Sequence, residues 1–122
     1  MKKILIVDDE PEIRELLKKK LGRHGYAAIA AADGQEALAI CREQLPDLIL
    51  LDIAMPQMDG YETCEKLKQD KITAGIPVLL LTAKDLNPAS VVARCAEIGA
   101  ADYISKPSST EDLLKKIKEI IG

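Results

Sequence analysis

Short apolar runs alternate with amphipathic stretches from one end of the chain to the other. Ile4 to Val7, Ala27 to Ala31, Leu48 to Leu51 and Val78 to Leu81 have strand length, and Tyr103-Ile104 is a weaker fifth. Several are apolar throughout rather than alternating, as expected for parallel strands covered by helices on both faces. The stretches between them carry helical spacing and helix-end residues. Ile13, Leu16, Leu17 and Leu21 form a first stripe, opened by Pro11 and closed around Gly22 and Gly25. Asp33 and Glu36 resemble a capping box ahead of Ala37, Leu38 and Cys41. Tyr61, Cys64 and Leu67 make a shorter third stripe. Gly60 is read as permitting the turn that leads into it. Asn87-Pro88 reads as an N-cap and first-turn proline before Val91, Val92, Cys95 and Ile98, with Gly99 placed to end that helix. Leu113, Leu114, Ile117, Ile120 and Ile121 give a last helix a broad apolar face, capped by Ser109 or Thr110.

Five strands alternating with five helices predict an α/β fold, a (βα)5 doubly wound parallel sheet. Such sheets commonly take the flavodoxin-like order 2-1-3-4-5, with strands 1 and 3 side by side at a switch point. Ligands bind there, at the carboxyl ends of the strands. In this sequence those ends are polar: Asp8-Asp9 after strand 1, Asp52 after strand 3, Thr82 after strand 4, and Ser105-Lys106-Pro107 after strand 5. Any one of these residues is an ordinary loop opener. Three carboxylates, a hydroxyl and an ammonium at four inner strand ends point to chemistry.

Carboxylates on adjacent strand ends repel unless a cation joins them. An acidic, oxygen-only donor set suits a hard divalent ion such as Mg2+, which keeps several waters and welcomes phosphate oxygens. A carboxylate beside such an ion can attack phosphorus in line and form an acyl phosphate. Thr82 would then donate a hydrogen bond to the transferred group, and Lys106 would balance its charge. Zinc is not supported, because His24 is the single histidine and Cys41, Cys64 and Cys95 have no ligand spacing. Nucleotide-binding glycine loops are absent from the sequence.

Composition narrows the setting. The chain has 122 residues, enough for one domain over 1–122, and at 48% hydrophobic and 30% charged it is neither disordered nor fibrous. A net charge of −3 argues against direct nucleic-acid binding as the main activity. No apolar run is long enough to span a membrane, and Asp8-Asp9-Glu10 ends any signal-peptide reading. Three widely spaced cysteines read as reduced thiols packed on helices, so a cytoplasmic location is expected. Lys18-Lys19-Lys20 and the group Lys115, Lys116 and Lys118 read as solvated helix faces.

The segments ILIVDDEPEIRELL, LILLDIAMPQMDGYE, PVLLLTAKD and GAADYISKPSSTEDLL cover most of the chain. In combination they resemble the receiver domain of two-component response regulators, similar in extent to the stand-alone chemotaxis (CheY-like) regulator. The resemblance implies that Asp52 is the phosphoacceptor for a sensor histidine kinase or phosphotransfer protein. It implies that Asp8, Asp9, Asp52 and the Ala54 backbone carbonyl hold Mg2+. It gives Thr82 and Lys106 the roles already argued, makes Thr82 and Tyr103 a switch pair, and implies a cis peptide at Pro107. A downstream effector is expected on the face formed by helix 4, strand 5 and helix 5, with neither nucleic acid nor membrane as direct partner.

Two other readings remain on the residues alone. An aspartyl-phosphate phosphohydrolase of the haloacid-dehalogenase type needs an acid/base aspartate two residues after the nucleophile, where this chain has Ala54. A phosphorylation-independent pseudo-receiver would be favoured by a missing pocket residue, and none is missing. The fast chemotaxis-type regulators, by resemblance, carry an amide and a carboxylate where this chain has Ala54 and Lys84. A slower loss of the phosphoryl group is therefore expected here.

Overall fold

The computed structural model describes residues 1–83, 87–106 and 109–122, the side chains of Ala83 and Lys106 excepted. The elements in chain order are β1 (Lys3–Val7), α1 (Pro11–Arg23), β2 (Ala27–Ala31), α2 (Gly34–Gln44), β3 (Leu48–Asp52), α3 (Gly60–Gln69), β4 (Val78–Ala83), α4 (Pro88–Ile98), β5 (Asp102–Lys106) and α5 (Thr110–Ile121). The strands form one parallel sheet in the order β2-β1-β3-β4-β5. This is the predicted (βα)5 arrangement, and β3 and β4 run one and two residues further than their apolar runs.

Successive side chains of a strand point to opposite faces, so fully apolar strands build a core on each side. One layer joins Ile4, Ile6, Leu48, Leu50, Leu79, Leu81 and Ile104 to Leu21 of α1 and Leu113 and Ile117 of α5. The other joins Leu5, Val7, Ile49, Leu51, Val78 and Leu80 to residues of α2, α3 and α4, including Cys41, Cys64 and Cys95. All three cysteines are free and buried.

The helix ends follow the capping signals. Asp33, Asp59 and Ser109 accept the backbone N–H three residues on, from Glu36, Glu62 and Asp112. Asn87 accepts from Ala89, and Gly99 ends α4 in the left-handed region at φ 79°. Two stripe residues are more exposed than their spacing predicts: Leu16 is 47% and Val92 53% exposed. Each lies on the rim of its stripe, about 100° around the helix from Leu17 and Val91 respectively, beyond the narrow face that meets the sheet. Among the described residues no helix is long and apolar enough to cross a membrane.

Candidate functional site

The register sets the site. Val7 pairs with Leu51, so Asp8 and Asp52 occupy equivalent positions at the ends of neighbouring central strands. Asp52 pairs with Leu81, which places Thr82 one step beyond it on β4. Thr82 in turn pairs with Ser105, and Ala83 with Lys106. Asp8, Asp52 and Thr82 are 0%, 5% and 2% exposed, so the strands carry polar groups into the packed edge of the sheet. Burying a carboxylate is costly without compensation, and among the described residues no buried side-chain oxygen is left without a hydrogen-bond partner.

Two loops hold these residues. After β3, the Ile53 N–H donates to the Leu81 carbonyl at 3.1 Å, and the Ile53 carbonyl accepts from Met55 and Gly60 at 3.1 and 2.9 Å. The Ala54 N–H donates to Oδ1 of Asp52 at 3.3 Å, orienting that carboxylate from its own loop. Gly60 does not supply a left-handed turn, because it is the first residue of α3 and has no positive φ. It permits close approach instead: a Cβ there would clash with the Asp52 carbonyl oxygen and meet the Ile53 Cα at 2.7 Å. The backbone position of Asp52 is therefore read directly by the start of α3. Met55 lies in this loop and buries its side chain in the core.

After β1, Asp8 donates its N–H to the Ala31 carbonyl at 3.2 Å and accepts the Glu10 N–H on Oδ1 at 2.9 Å. Carboxylate oxygens of Asp8, Asp9 and Glu10 lie within 4.8 Å of one another, Asp8 buried and the other two exposed. Glu10 was not among the sequence candidates. It occupies the N-cap of α1 without making a side-chain cap bond, and the folded turn rather than any sequence signal brings it to Asp8 and Asp9. The clustered donors are carboxylates, a set that fits a small hard dication and offers nothing to a soft one.

Tyr103 is half-buried against the core layer that contains Leu80, its register partner on β4. Thr82 lies two residues past Leu80, so Thr82 and Tyr103 share one pleat face of the sheet. The side chain of Lys106, the Pro107 peptide and Lys84 lie outside the described residues. Other reactive candidates are accounted for. Burial pushes the Cys41 thiol up to about 12 and the Cys64 thiol up to about 11, and raises Cys95 as well, so all three stay neutral thiols. His24 sits at the exposed end of α1 with Nδ1 2.8 Å from the Lys20 carbonyl, a helix-terminal role.

Comparison with known proteins fits this geometry. Residues 4–118 match the family of the response regulator receiver domain. The chain is 45% identical over 120 residues to the alkaline phosphatase synthesis transcriptional regulatory protein PhoP of Bacillus subtilis, covering 98% of this chain and 48% of that protein. It is 41% identical to the phosphate regulon transcriptional regulatory protein PhoB of Pseudomonas aeruginosa, covering 98% and 52%. The chain thus spans about half the length of these curated relatives. Among solved structures, chemotaxis protein CheY4 of Vibrio cholerae superposes with a TM-score of 0.91 at 32% identity, covering 98% of each chain. The receiver domain of a Pseudomonas aeruginosa sensor histidine kinase, solved with a magnesium ion coordinated in its active-site cleft, gives 0.88 at 29% identity over 99% and 98%.

Proposed function

Because this chain belongs to the response regulator receiver domain family of two-component systems, we propose that it is a phosphorylation switch whose acceptor is Asp52. The observation that carries this reading is the placement of two buried carboxylates, Asp8 and Asp52, at equivalent ends of β1 and β3 beside buried Thr82. A sensor histidine kinase or phosphotransfer protein is the donor.

An Asp52 carboxylate oxygen forms the bond to phosphorus as the bond to the donor breaks on the opposite side. The Ala54 N–H holds Oδ1 of Asp52, which limits rotation of the attacking group. Asp8, Asp9, Asp52 and the Ala54 carbonyl are the residues that would hold Mg2+, which when bound neutralises the carboxylates against an incoming anion. The Thr82 hydroxyl donates to the transferred phosphoryl group, and Lys106 balances its charge. Movement of Thr82 toward that group frees space on the pleat face it shares with Tyr103. Inward movement of Tyr103 then biases the α4–β5–α5 surface between two states, and the effector reads that surface. The setting is cytoplasmic, and residues 1–122 act as one receiver unit.

Acetyl phosphate with Mg2+, followed by intact mass, tests this. Wild type gains one phosphate and Asp52→Asn gains none. Steady phosphate release without an accumulating adduct would favour the phosphohydrolase, no adduct would favour a pseudo-receiver, and an undiminished adduct on Asp52→Asn would place the acceptor elsewhere.

A further inference from the structure

The β1–α1 turn gathers like charges. Oxygens of Asp8, Asp9 and Glu10 approach within 4.8 Å, and Glu10 does not use its carboxylate to cap the helix it begins. Coulomb repulsion works to open this turn. Besides the Glu10 N–H bond to Asp8 Oδ1, the turn is held by contacts of Arg14, half-buried on the first turns of α1. Its backbone N–H donates to the Glu10 carbonyl at 3.1 Å, and its Nη1 donates to the Asp8 carbonyl at 2.8 Å. The first is the opening i→i−4 bond of the helix; the second is the side chain's own tie across the turn to Asp8. The side-chain bond is charge-assisted and comes from a planar, permanently charged fork.

We infer that Arg14 is a positioning residue for the divalent-cation pocket, holding Asp8, Asp9 and Glu10 in the shape that receives the ion. This rests on the Mg2+ pocket of the functional reading above. It also runs against simple electrostatics, and the sign of the effect separates the two. A guanidinium beside a cation site repels the cation, so on charge alone its removal tightens binding by about fivefold. On positioning, its removal lets the carboxylates spread, and loss of an outer support typically weakens metal affinity by about tenfold or more.

The experiment is a Mg2+ titration of the full chain, followed by the amide signals of residues 8–10 and 52–54. Arg14→Met keeps the aliphatic stem and loses both charge and donors. The expected result is about tenfold weaker Mg2+ binding than wild type, with the metal-free signals of Asp9 and Glu10 shifted and those of β4 and β5 in place. Binding equal to or tighter than wild type overturns the inference. So does a variant that loses urea stability while its folded state binds Mg2+ normally, because that is a helix anchor only. If Arg14→Met disturbs the whole sheet, Arg14→Gln, too short to reach the Asp8 carbonyl, carries the same test with the same two outcomes. A wild type that binds no Mg2+ removes the functional reading and this inference together. Wild-type binding with unaffected variants removes this inference alone.

Discussion

The two faces of the sheet are built from different materials. On the α1/α5 side the core is almost entirely branched aliphatic: Ile4, Ile6, Leu48, Leu50, Leu79, Leu81, Ile104, Leu113 and Ile117. On the α2/α3/α4 side small and soft residues enter, with Ala31, Ala37, Met55 and all three cysteines. Leucine and isoleucine fill fixed volumes in few rotamers, whereas alanine, cysteine and methionine let helices sit close and adjust. The division matches the roles proposed for the strand ends. Asp52 shares the pleat parity of Leu48 and Leu50, on the aliphatic side. Thr82 and Tyr103 share that of Leu80, on the softer side. The proposed acceptor and the groups proposed to move therefore belong to opposite faces.

The largest expected contrast comes from truncating each face. Ile117→Ala removes a fully buried branched side chain and is expected to cost about 3 kcal/mol. Cys64→Ala, equally buried, is expected to cost about 1 kcal/mol. Urea unfolding measures both, and equal losses would dissolve the distinction between the faces.

The softer face should nonetheless be intolerant where backbone meets backbone. Gly60→Ala forces a methyl group against the Asp52 carbonyl and is expected to cost about 2 kcal/mol. Because the displaced atoms belong to Asp52, the proposed acceptor, acetyl phosphate labelling should slow as well. A variant of wild-type stability and labelling rate would mean that the start of α3 yields freely.

Alkali should sharpen the contrast further. Folding raises the Cys41 thiol from 9.0 to about 12 and the Cys64 thiol from 9.0 to about 11, in each case by desolvation. Their contribution is intact below pH 9, where thiols are protonated in both states. Above it the unfolded chain loses protons that the folded chain keeps, so stability falls until the folded pKa is reached. The slope is about 1.4 kcal/mol per pH unit for each thiol fully in that window. Urea midpoints at pH 8 and pH 10 should therefore differ less in Cys41→Ala/Cys64→Ala than in wild type. Parallel shifts in the two proteins would show that the thiols do not titrate as their burial implies.

The smallest effect is expected at the surface. Lys116 Nζ on α5 lies 2.7 Å from Asp102 Oδ2 on β5, with both side chains about a third exposed. Hydrogen bonding to Asp102 raises the Lys116 pKa. Lys116→Met should cost about 0.5 kcal/mol at low salt and less at high salt. A loss comparable to that of Ile117→Ala would make this pair part of the core's support rather than a surface contact.

Much of the molecule is local in origin and was legible in the sequence. Strand positions follow from runs such as Leu48 to Leu51, and helix starts from Asp33, Asn87-Pro88 and Ser109, because apolar burial and caps act over a few residues. The edge on which Asp8, Asp52 and Thr82 meet also follows, since a parallel (βα)5 chain delivers inner strand ends to one side. What the sequence could not show depends on distances between segments that are remote in the chain or on the shape of a turn. Gly60 reads as a turn residue until the Asp52 carbonyl is found where its Cβ would stand. Leu16 and Val92 carry the right spacing for a stripe, but the width of the face meeting the sheet decides which members are covered. Glu10 and Arg14 look like an ordinary acid and base at a helix start. Only the folded turn brings the Glu10 carboxylate to Asp8 and Asp9, and the Arg14 guanidinium to the Asp8 carbonyl. Periodicity reports which side of an element is apolar, whereas close approach is a property of the assembled chain.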